Sequence, residues 1–150
     1  MEQKRKIIPP AHLLIAMGLM WLLQRYFPVY QYISPPLAYL GIVPVFIGIV
    51  VSAVSAGGFV KAGTALEPFE EATTLVTGGL YRHTRNPMYL GMFLMLLGVA
   101  VLIGSVSAFV PLLIFVLIIR YNFVSGEERF LEATFGQQYL DYKSEVRRWI

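Results

Sequence analysis

From Tyr26 to Val60 the chain carries no charged side chain, and from Asn86 to Ile119 it carries none again. Runs of that length are rare in soluble domains, where about a quarter of residues are charged. Here the charged share is 14% and the hydrophobic share 57% over 150 residues, with a mean hydropathy of +0.64. A hydrocarbon core about 30 Å thick needs about 20 apolar residues per helix, so the gaps between charges read as membrane spans. Length allows one domain, residues 1–150, with four or five crossings and a modest polar portion. With no cysteine, disulfide frameworks, thiolate metal sites and cysteine nucleophiles are excluded. His12 and His83, the two histidines, are too few for a histidine-built metal centre, and both read as structural.

Ile7 to Leu23 forms the first expected span, entered through Pro9 and Pro10, since proline is tolerated in a first helical turn. It ends in Gln24, Arg25, Tyr26, Phe27 and Pro28, a polar and aromatic flank suited to an interface. A basic start before an apolar run also resembles a secretion signal. No small-residue cleavage site follows, so the expectation is an uncleaved anchor. Leu37 to Val60 forms the second span, with Pro44 a candidate kink and Gly57-Gly58 a candidate loosening of its last turn. Gly48 reads most simply as a helix-packing site. Pro87 to Ile119 is too long for one crossing, about 50 Å as a single helix. It reads as a hairpin turning at Gly104, Ser105 and Ser107, with arms of about 15 residues.

Four spans place Lys4 to Lys6, the Lys61 to Arg85 loop and the tail from Arg120 on one side. That side then holds eleven of the twelve Lys and Arg residues, all but Arg25, and all nine acidic residues. The positive-inside tendency makes it cytoplasmic, with both termini inside, in the inner membrane of a bacterial or archaeal cell. Polar chemistry is available only at this face. The loop there includes Gly63-Thr64, Glu67-Pro68, Glu70, Glu71 and Thr77-Gly78-Gly79, and runs on through Arg82-His83-Thr84-Arg85-Asn86-Pro87. In the tail, Leu131, Phe135, Tyr139, Tyr142, Val146 and Trp149 fall at steps of three and four. This predicts one apolar stripe on an amphipathic helix that lies along the membrane with Lys143, Arg147 and Arg148 beside it. The expected fold is all-α, a polytopic membrane protein with four transmembrane helices, spans 3 and 4 a helical hairpin, and a C-terminal amphipathic surface helix.

Four motifs then follow in order. Thr77-Gly78-Gly79-Leu80-Tyr81 precedes Arg85-Asn86-Pro87-Met88-Tyr89-Leu90-Gly91. After the hairpin come Glu127-Glu128-x-x-Leu131 and Phe135-Gly136-x-x-Tyr139-x-x-Tyr142. Their order across a membrane hairpin closely resembles the isoprenylcysteine carboxyl methyltransferase and phospholipid methyltransferase superfamily over roughly Gly63 to Arg148. Asn86 stands where members often have histidine, and its amide both donates and accepts hydrogen bonds. The resemblance implies an integral membrane methyltransferase that uses S-adenosylmethionine, held at the cytoplasmic face by the inner loop, the hairpin and the tail. It implies Arg85, Asn86 and Glu128 as catalytic residues. For the cofactor it implies Tyr81, Arg82, Arg85, Asn86, Pro87, Tyr89, Glu127, Glu128, Tyr139 and Tyr142.

The residue types suit that cofactor. Arg82 or Arg85 can hold a carboxylate through a fork of donors, and Glu127 or Glu128 can accept from an ammonium or a ribose. Tyr81, Tyr89, Tyr139 and Tyr142 can stack on adenine or face a sulfonium. Gly78 and Gly79 permit close backbone approach. Methyl transfer is an in-line displacement in which alignment contributes about 7 to 11 kcal/mol, so an obvious acid or base is not required. A carboxylate acceptor is already ionised, whereas an amine must first lose a proton; the scarcity of histidine slightly favours a carboxylate or a thiol-like acceptor. The acceptor is expected to be a lipophilic small molecule or lipid-modified group arriving from membrane lipid, with an isoprenylcysteine-type carboxylate first and a phospholipid amine second. A small transporter or assembly protein and a membrane reductase are the alternatives of another class. The absence of charge within spans 2 to 4 argues against conduction, and no dinucleotide glycine fingerprint is evident. The basic residues follow topology and do not form a nucleic-acid surface.

Overall fold

A computed structural model describes residues 8–64 and 72–150; Lys4 to Ile7, Glu67, Pro68, Glu70 and Glu71 lie outside the described residues. Six α-helices occur among those described. Helix α1 is Pro9–Tyr26, with prolines in its first turn, and α2 is Ile42–Ala62, preceded by a 3₁₀ turn at Leu37–Gly41. Pro44 falls in the first turn of α2, just after the 3₁₀ turn passes into the α-helix, a position where proline is tolerated. Helix α3 is Pro87–Ile103. After a 3₁₀ turn at Val106–Ala108 come α4, Phe109–Ile118, a π-helical turn, Ile119–Val124, and α5, Ser125–Phe135. Helix α6, Gln137–Glu145, follows.

Among the described residues, two helical runs are long and apolar enough to cross a membrane: Leu37–Ala62, 26 residues, and Val106–Phe135, 30 residues. Helix α3 is apolar but has 17 residues, about 25 Å at 1.5 Å per residue. Charge patterning places the second arm of the hairpin as far as Ile119, but the helix runs on through Arg120 to Phe135.

Helices α2 and α3 are antiparallel and approach at backbone distance. Gly41 faces Gly98, and two turns along Gly48 faces Gly91. A Cβ at Gly98 would lie 2.5 Å from the Gly41 carbonyl oxygen, and one at Gly91 would lie 2.7 Å from that of Gly48. Where lipid tails are as apolar as leucine, helices associate by close packing, and small residues make the approach possible. Gly48 thus has the packing role expected of it. Further along the same seam, the Ser52 hydroxyl donates to the Met88 carbonyl at 3.3 Å.

Helix α1 packs on α3 and α4. The shared core takes Leu13, Ala16 and Met20 from α1, Tyr89, Met92, Leu96 and Ala100 from α3, and Leu112, Phe115, Ile119 and Phe123 from the last long helix. Each set steps by three or four, one face of a helix. His12 belongs to this packing: its Nδ1 lies 3.2 Å from the Ile8 carbonyl oxygen and its ring meets Phe123 edge-on at 5.4 Å.

At the far end of the bundle the expected hairpin turn is present. Gly104 ends α3 with φ of +70°, a left-handed geometry that favours glycine. The α1–α2 connection crosses this turn. Gln31 Nε2 donates to the carbonyls of Ile33 and Ile103, each at 3.0 Å, and the Tyr32 N–H donates to the Gly104 carbonyl at 2.9 Å.

The single amphipathic helix expected for the tail is not formed. Gly136, at φ +53° and ψ −124°, divides it into α5 and α6, and Val146 and Trp149 lie beyond the end of α6. The stripe also faces inward where lipid contact was expected. Tyr139 and Tyr142 are buried, Tyr139 to 1% exposure, and α6 meets the segment before α3, where the Tyr142 hydroxyl donates to the Tyr81 carbonyl and Arg85 Nη1 donates to the Lys143 carbonyl.

Candidate functional site

Glu128 is the centre of the polar end. It lies one turn into α5, immediately after the π-helical turn. A π turn inserts one residue into the helical phase, a device frequent at functional sites, and it sets which way the following carboxylates face. The Arg148 guanidinium binds Glu128 through two bonds, Nε to Oε1 at 2.9 Å and Nη2 to Oε2 at 2.6 Å. Arg85 approaches from the loop before α3, with Nη2 3.1 Å from Oε1. The Arg85 and Glu128 side chains are 9% and 10% exposed, so this is a largely desolvated cluster of two cations and one anion. Its formal excess is one positive charge.

The same segment of tail is held along its backbone. The Arg85 N–H donates to the Arg147 carbonyl at 2.9 Å. The Arg148 carbonyl accepts from the Thr84 hydroxyl at 3.1 Å and from Asn86 Nδ2 at 2.9 Å. Asn86 stands at the N-cap of α3, where an asparagine side chain ordinarily accepts from the helix's own free N–H groups. It makes no such cap and is turned to the tail. The local helix rule is thus broken at the site, where such departures are expected to concentrate. Pro87 occupies the first helical position and needs no N–H partner.

Beside this cluster Tyr89 donates its hydroxyl to Glu127 Oε1 at 2.6 Å. Tyr142 donates to the Tyr81 carbonyl at 2.7 Å, and the Tyr139 and Tyr142 rings pack at 6.2 Å. All four expected tyrosines are buried. Burial pushes the Tyr139 phenol up to about 12, with the Glu128 charge adding to the effect. Burial likewise raises Tyr81 and Tyr142 above the usual tyrosine range. Hydrogen bonding to Glu128 holds the Arg148 charge more firmly still.

An apolar cavity of about 380 Å³ adjoins the polar cluster. It lies between Tyr89 and Phe93 of α3 and Phe115 and Ile119 of the facing helix, with Trp149 and Ile150 on its wall. Of the sequence-derived residues, the fold brings together Tyr81, Arg85, Asn86, Pro87, Tyr89, Glu127, Glu128, Tyr139 and Tyr142. Arg82 remains exposed and makes no ion pair among the described residues, as His83 also remains exposed. The reading of the sequence missed Arg148 and Thr84 as site residues. Arg148 was assigned to the membrane surface because its carboxylate partner lies 20 residues away, a separation that leaves no local period.

S-adenosylmethionine suits this residue set in one testable respect. Arg85 Nε is buried without a partner among the described residues, an expensive condition for a charged donor, and the surrounding excess of positive charge is complementary to a carboxylate. Among the described residues no group of three or more His, Cys, Asp or Glu side chains is placed to hold a metal.

Comparison with known proteins agrees with the motif order. A 63-residue stretch, 42% of the chain, is 40% identical to the whole of an uncharacterized protein of Haemophilus influenzae. Over 75 residues the chain is 37% identical to the protein-S-isoprenylcysteine O-methyltransferase of Schizosaccharomyces pombe, covering 48% of this chain and 30% of that one. Over 78 residues it is 35% identical to protein-S-isoprenylcysteine O-methyltransferase A of Arabidopsis thaliana, covering 52% of this chain and 40% of that one. The chain thus spans well under half the length of both named relatives. The model of the phospholipid methyltransferase family matches residues 37–138, more than half of the chain, and the chain belongs to that family.

Proposed function

We propose that the chain is an S-adenosylmethionine-dependent methyltransferase acting on a lipophilic acceptor at the cytoplasmic face of a membrane, as one domain over residues 1–150. The observation that carries this reading is the juxtaposition of the Arg85–Glu128–Arg148 cluster, with its unpartnered Arg85 Nε, and an apolar cavity that meets it at Tyr89. A charged cofactor and a greasy acceptor need such a boundary between a polar and an apolar pocket. Four crossings with both termini cytoplasmic are the topology of this reading, supported by the antiparallel pairing of α2 and α3 and by the described cations Lys61, Arg82, Arg85, Arg120, Arg129, Lys143, Arg147 and Arg148, which such crossings gather on one side.

Bound cofactor supplies a methyl group already activated on a sulfonium. Arg85 and Arg148 hold the carboxylate of its methionyl part, and Glu128 keeps both guanidiniums in place. Tyr89 and Glu127 bound the site where the acceptor's reactive group arrives, and their hydrogen bond fixes the orientation of both side chains. The packed tyrosines exclude water from the reacting atoms, and alignment does the rest.

An isoprenylcysteine-type carboxylate is the first reading of the acceptor. Two relatives bear that activity in their names, and about 380 Å³ is near the low end of small-molecule sites, about 300 to 1,000 Å³, which suits one apolar chain. A phospholipid amine is the second reading. It is favoured by Glu127, whose carboxylate stands ready to take the proton that an amine must lose.

Calorimetric titration of the purified protein in lipid nanodiscs with S-adenosylhomocysteine tests the reading. Micromolar binding is expected, weakened in Arg85→Gln by one to two orders of magnitude, about 1.4 to 2.8 kcal/mol. A folded protein that binds neither S-adenosylhomocysteine nor S-adenosylmethionine overturns it.

A further inference from the structure

We propose that Trp149 is a specificity-determining residue, setting the length of apolar chain that the acceptor cavity takes. The inference rests on the methyltransferase reading for its biological meaning, but not for its test. Trp149 lines the cavity together with Phe93 and Phe115 of the helical walls, and it packs against the shared core.

Its position is imposed by its neighbours. The preceding residue, Arg148, is held by two bonds to Glu128 and by two more to its carbonyl, from Thr84 and Asn86. The Arg147 carbonyl accepts from the Arg85 N–H. Five hydrogen bonds within two residues fix the backbone from which the indole projects, and the ring itself is packed, partly buried, against the shared core. The groups that hold the cofactor end thereby fix one boundary of the acceptor end.

Chain length in such a cavity is selected by shape. A prenyl or acyl tail leaving lipid for an apolar pocket exchanges one apolar surrounding for another, with little net hydrophobic gain. What discriminates is whether the tail fits against rigid walls, and a mismatch of one methylene in an apolar pocket changes selectivity by about 10- to 200-fold. Indole is the largest and among the most rigid walls available. Replacing it by a small side chain enlarges the space on the side built from the tail, where Trp149 and Ile150 lie.

Trp21 and Trp149 are the two tryptophans, so Trp21→Phe leaves Trp149 as the sole indole fluorophore. The full chain carrying this substitution, in phosphatidylcholine nanodiscs without cofactor, is titrated with N-acetyl-S-geranyl-, S-farnesyl- and S-geranylgeranyl-cysteine. A saturable change in Trp149 emission is expected for at least one probe. Calorimetry with the same three probes should show Trp149→Ala shifting relative affinity toward the longest by about tenfold or more. Trp149→Phe should retain the native order, and both variants should bind S-adenosylhomocysteine within about twofold of the native protein, on a scale where tenfold is about 1.4 kcal/mol. Emission that responds to none of the three overturns the proposal. So does an unchanged order of affinities in folded Trp149→Ala, or a tenfold loss of S-adenosylhomocysteine affinity there, which would make Trp149 a support of the clamp. Failure of S-adenosylhomocysteine to bind the native protein would remove the methyltransferase reading alone, because the emission titration contains no cofactor.

Discussion

Arg148 and Glu128, 20 residues apart in sequence, meet through two parallel hydrogen bonds of 2.9 and 2.6 Å, and Arg85 joins the same carboxylate from a third part of the chain. The pairing ties the end of the last long helix to the tail and to the loop before α3. The tail is thereby part of the site and not an appendage on the membrane surface.

Glu128→Gln should destabilise the protein more than any single change at its partners. Removing the anion leaves two guanidiniums facing each other in a largely desolvated place, and breaking a buried ion pair costs about 3 to 5 kcal/mol. Part of the Arg148 side chain reaches solvent, which puts the expectation at the lower bound. Arg148→Gln, which leaves a neutral Arg85–Glu128 pair, should cost less. Denaturant unfolding of both variants in the same detergent ranks them; equal losses would contradict the charge argument.

The glycine seam makes a contrasting pair of predictions. Gly91→Ala places a methyl group against the Gly48 carbonyl at 2.7 Å and against Ser52, so α2 and α3 must separate, at about 1 to 3 kcal/mol. Gly18, inside α1, has no heavy atom within 4 Å of an added Cβ. Gly18→Ala should instead be neutral or stabilise by up to about 1 kcal/mol through helix propensity. Thermal unfolding midpoints should move in opposite directions, or only the first should move.

Gly104→Ala should destabilise the hairpin end. The residue has φ of +70°, where an L side chain costs about 1 to 2 kcal/mol, and its Cβ would also press on the Ile33 carbonyl and on Gln31 Nε2 at 2.7 Å. The effect should appear as faster amide hydrogen exchange around Gln31 to Ile33 and Gly104, with affinity for S-adenosylhomocysteine retained because the site lies at the other end of the bundle.

Alkaline pH should loosen the tail. Burial raises Tyr139 from 10.0 to about 12, so the native state holds this proton where the unfolded chain releases it. Between those values the unfolded state binds fewer protons, and stability falls as pH rises. The contribution is fully present below pH 10 and is lost as pH climbs through about 12. Ultraviolet titration of phenolate formation should show one late-titrating tyrosine missing in Tyr139→Phe, and that variant's stability should fall less steeply above pH 10. A Tyr139 phenol that ionises near pH 10 in the folded protein would refute the burial argument.

The sequence by itself determined the helical class, the first three helical segments, the turn at Gly104 and the family, together with nine of the residues that gather at the polar end. These follow from properties local in the chain: lengths of uncharged runs, a glycine where the backbone turns, and motifs of a few residues. The face that each helix turns inward was not legible. In α3, Met92, Leu96 and Ala100 are core, yet the residues that face away from it are equally apolar, because a helix bordered by lipid has no polar side to mark its buried one. Only tertiary structure decided that Gly136 breaks the tail, that the stripe through Tyr139 and Tyr142 turns inward, that Asn86 gives up its cap for the Arg148 carbonyl, and that Arg148 closes on Glu128 beside a cavity walled by Trp149. Each depends on groups distant in sequence competing for the same partner. Which one prevails is set by three-dimensional packing and by the cost of leaving a buried charge or hydrogen-bonding group unpaired.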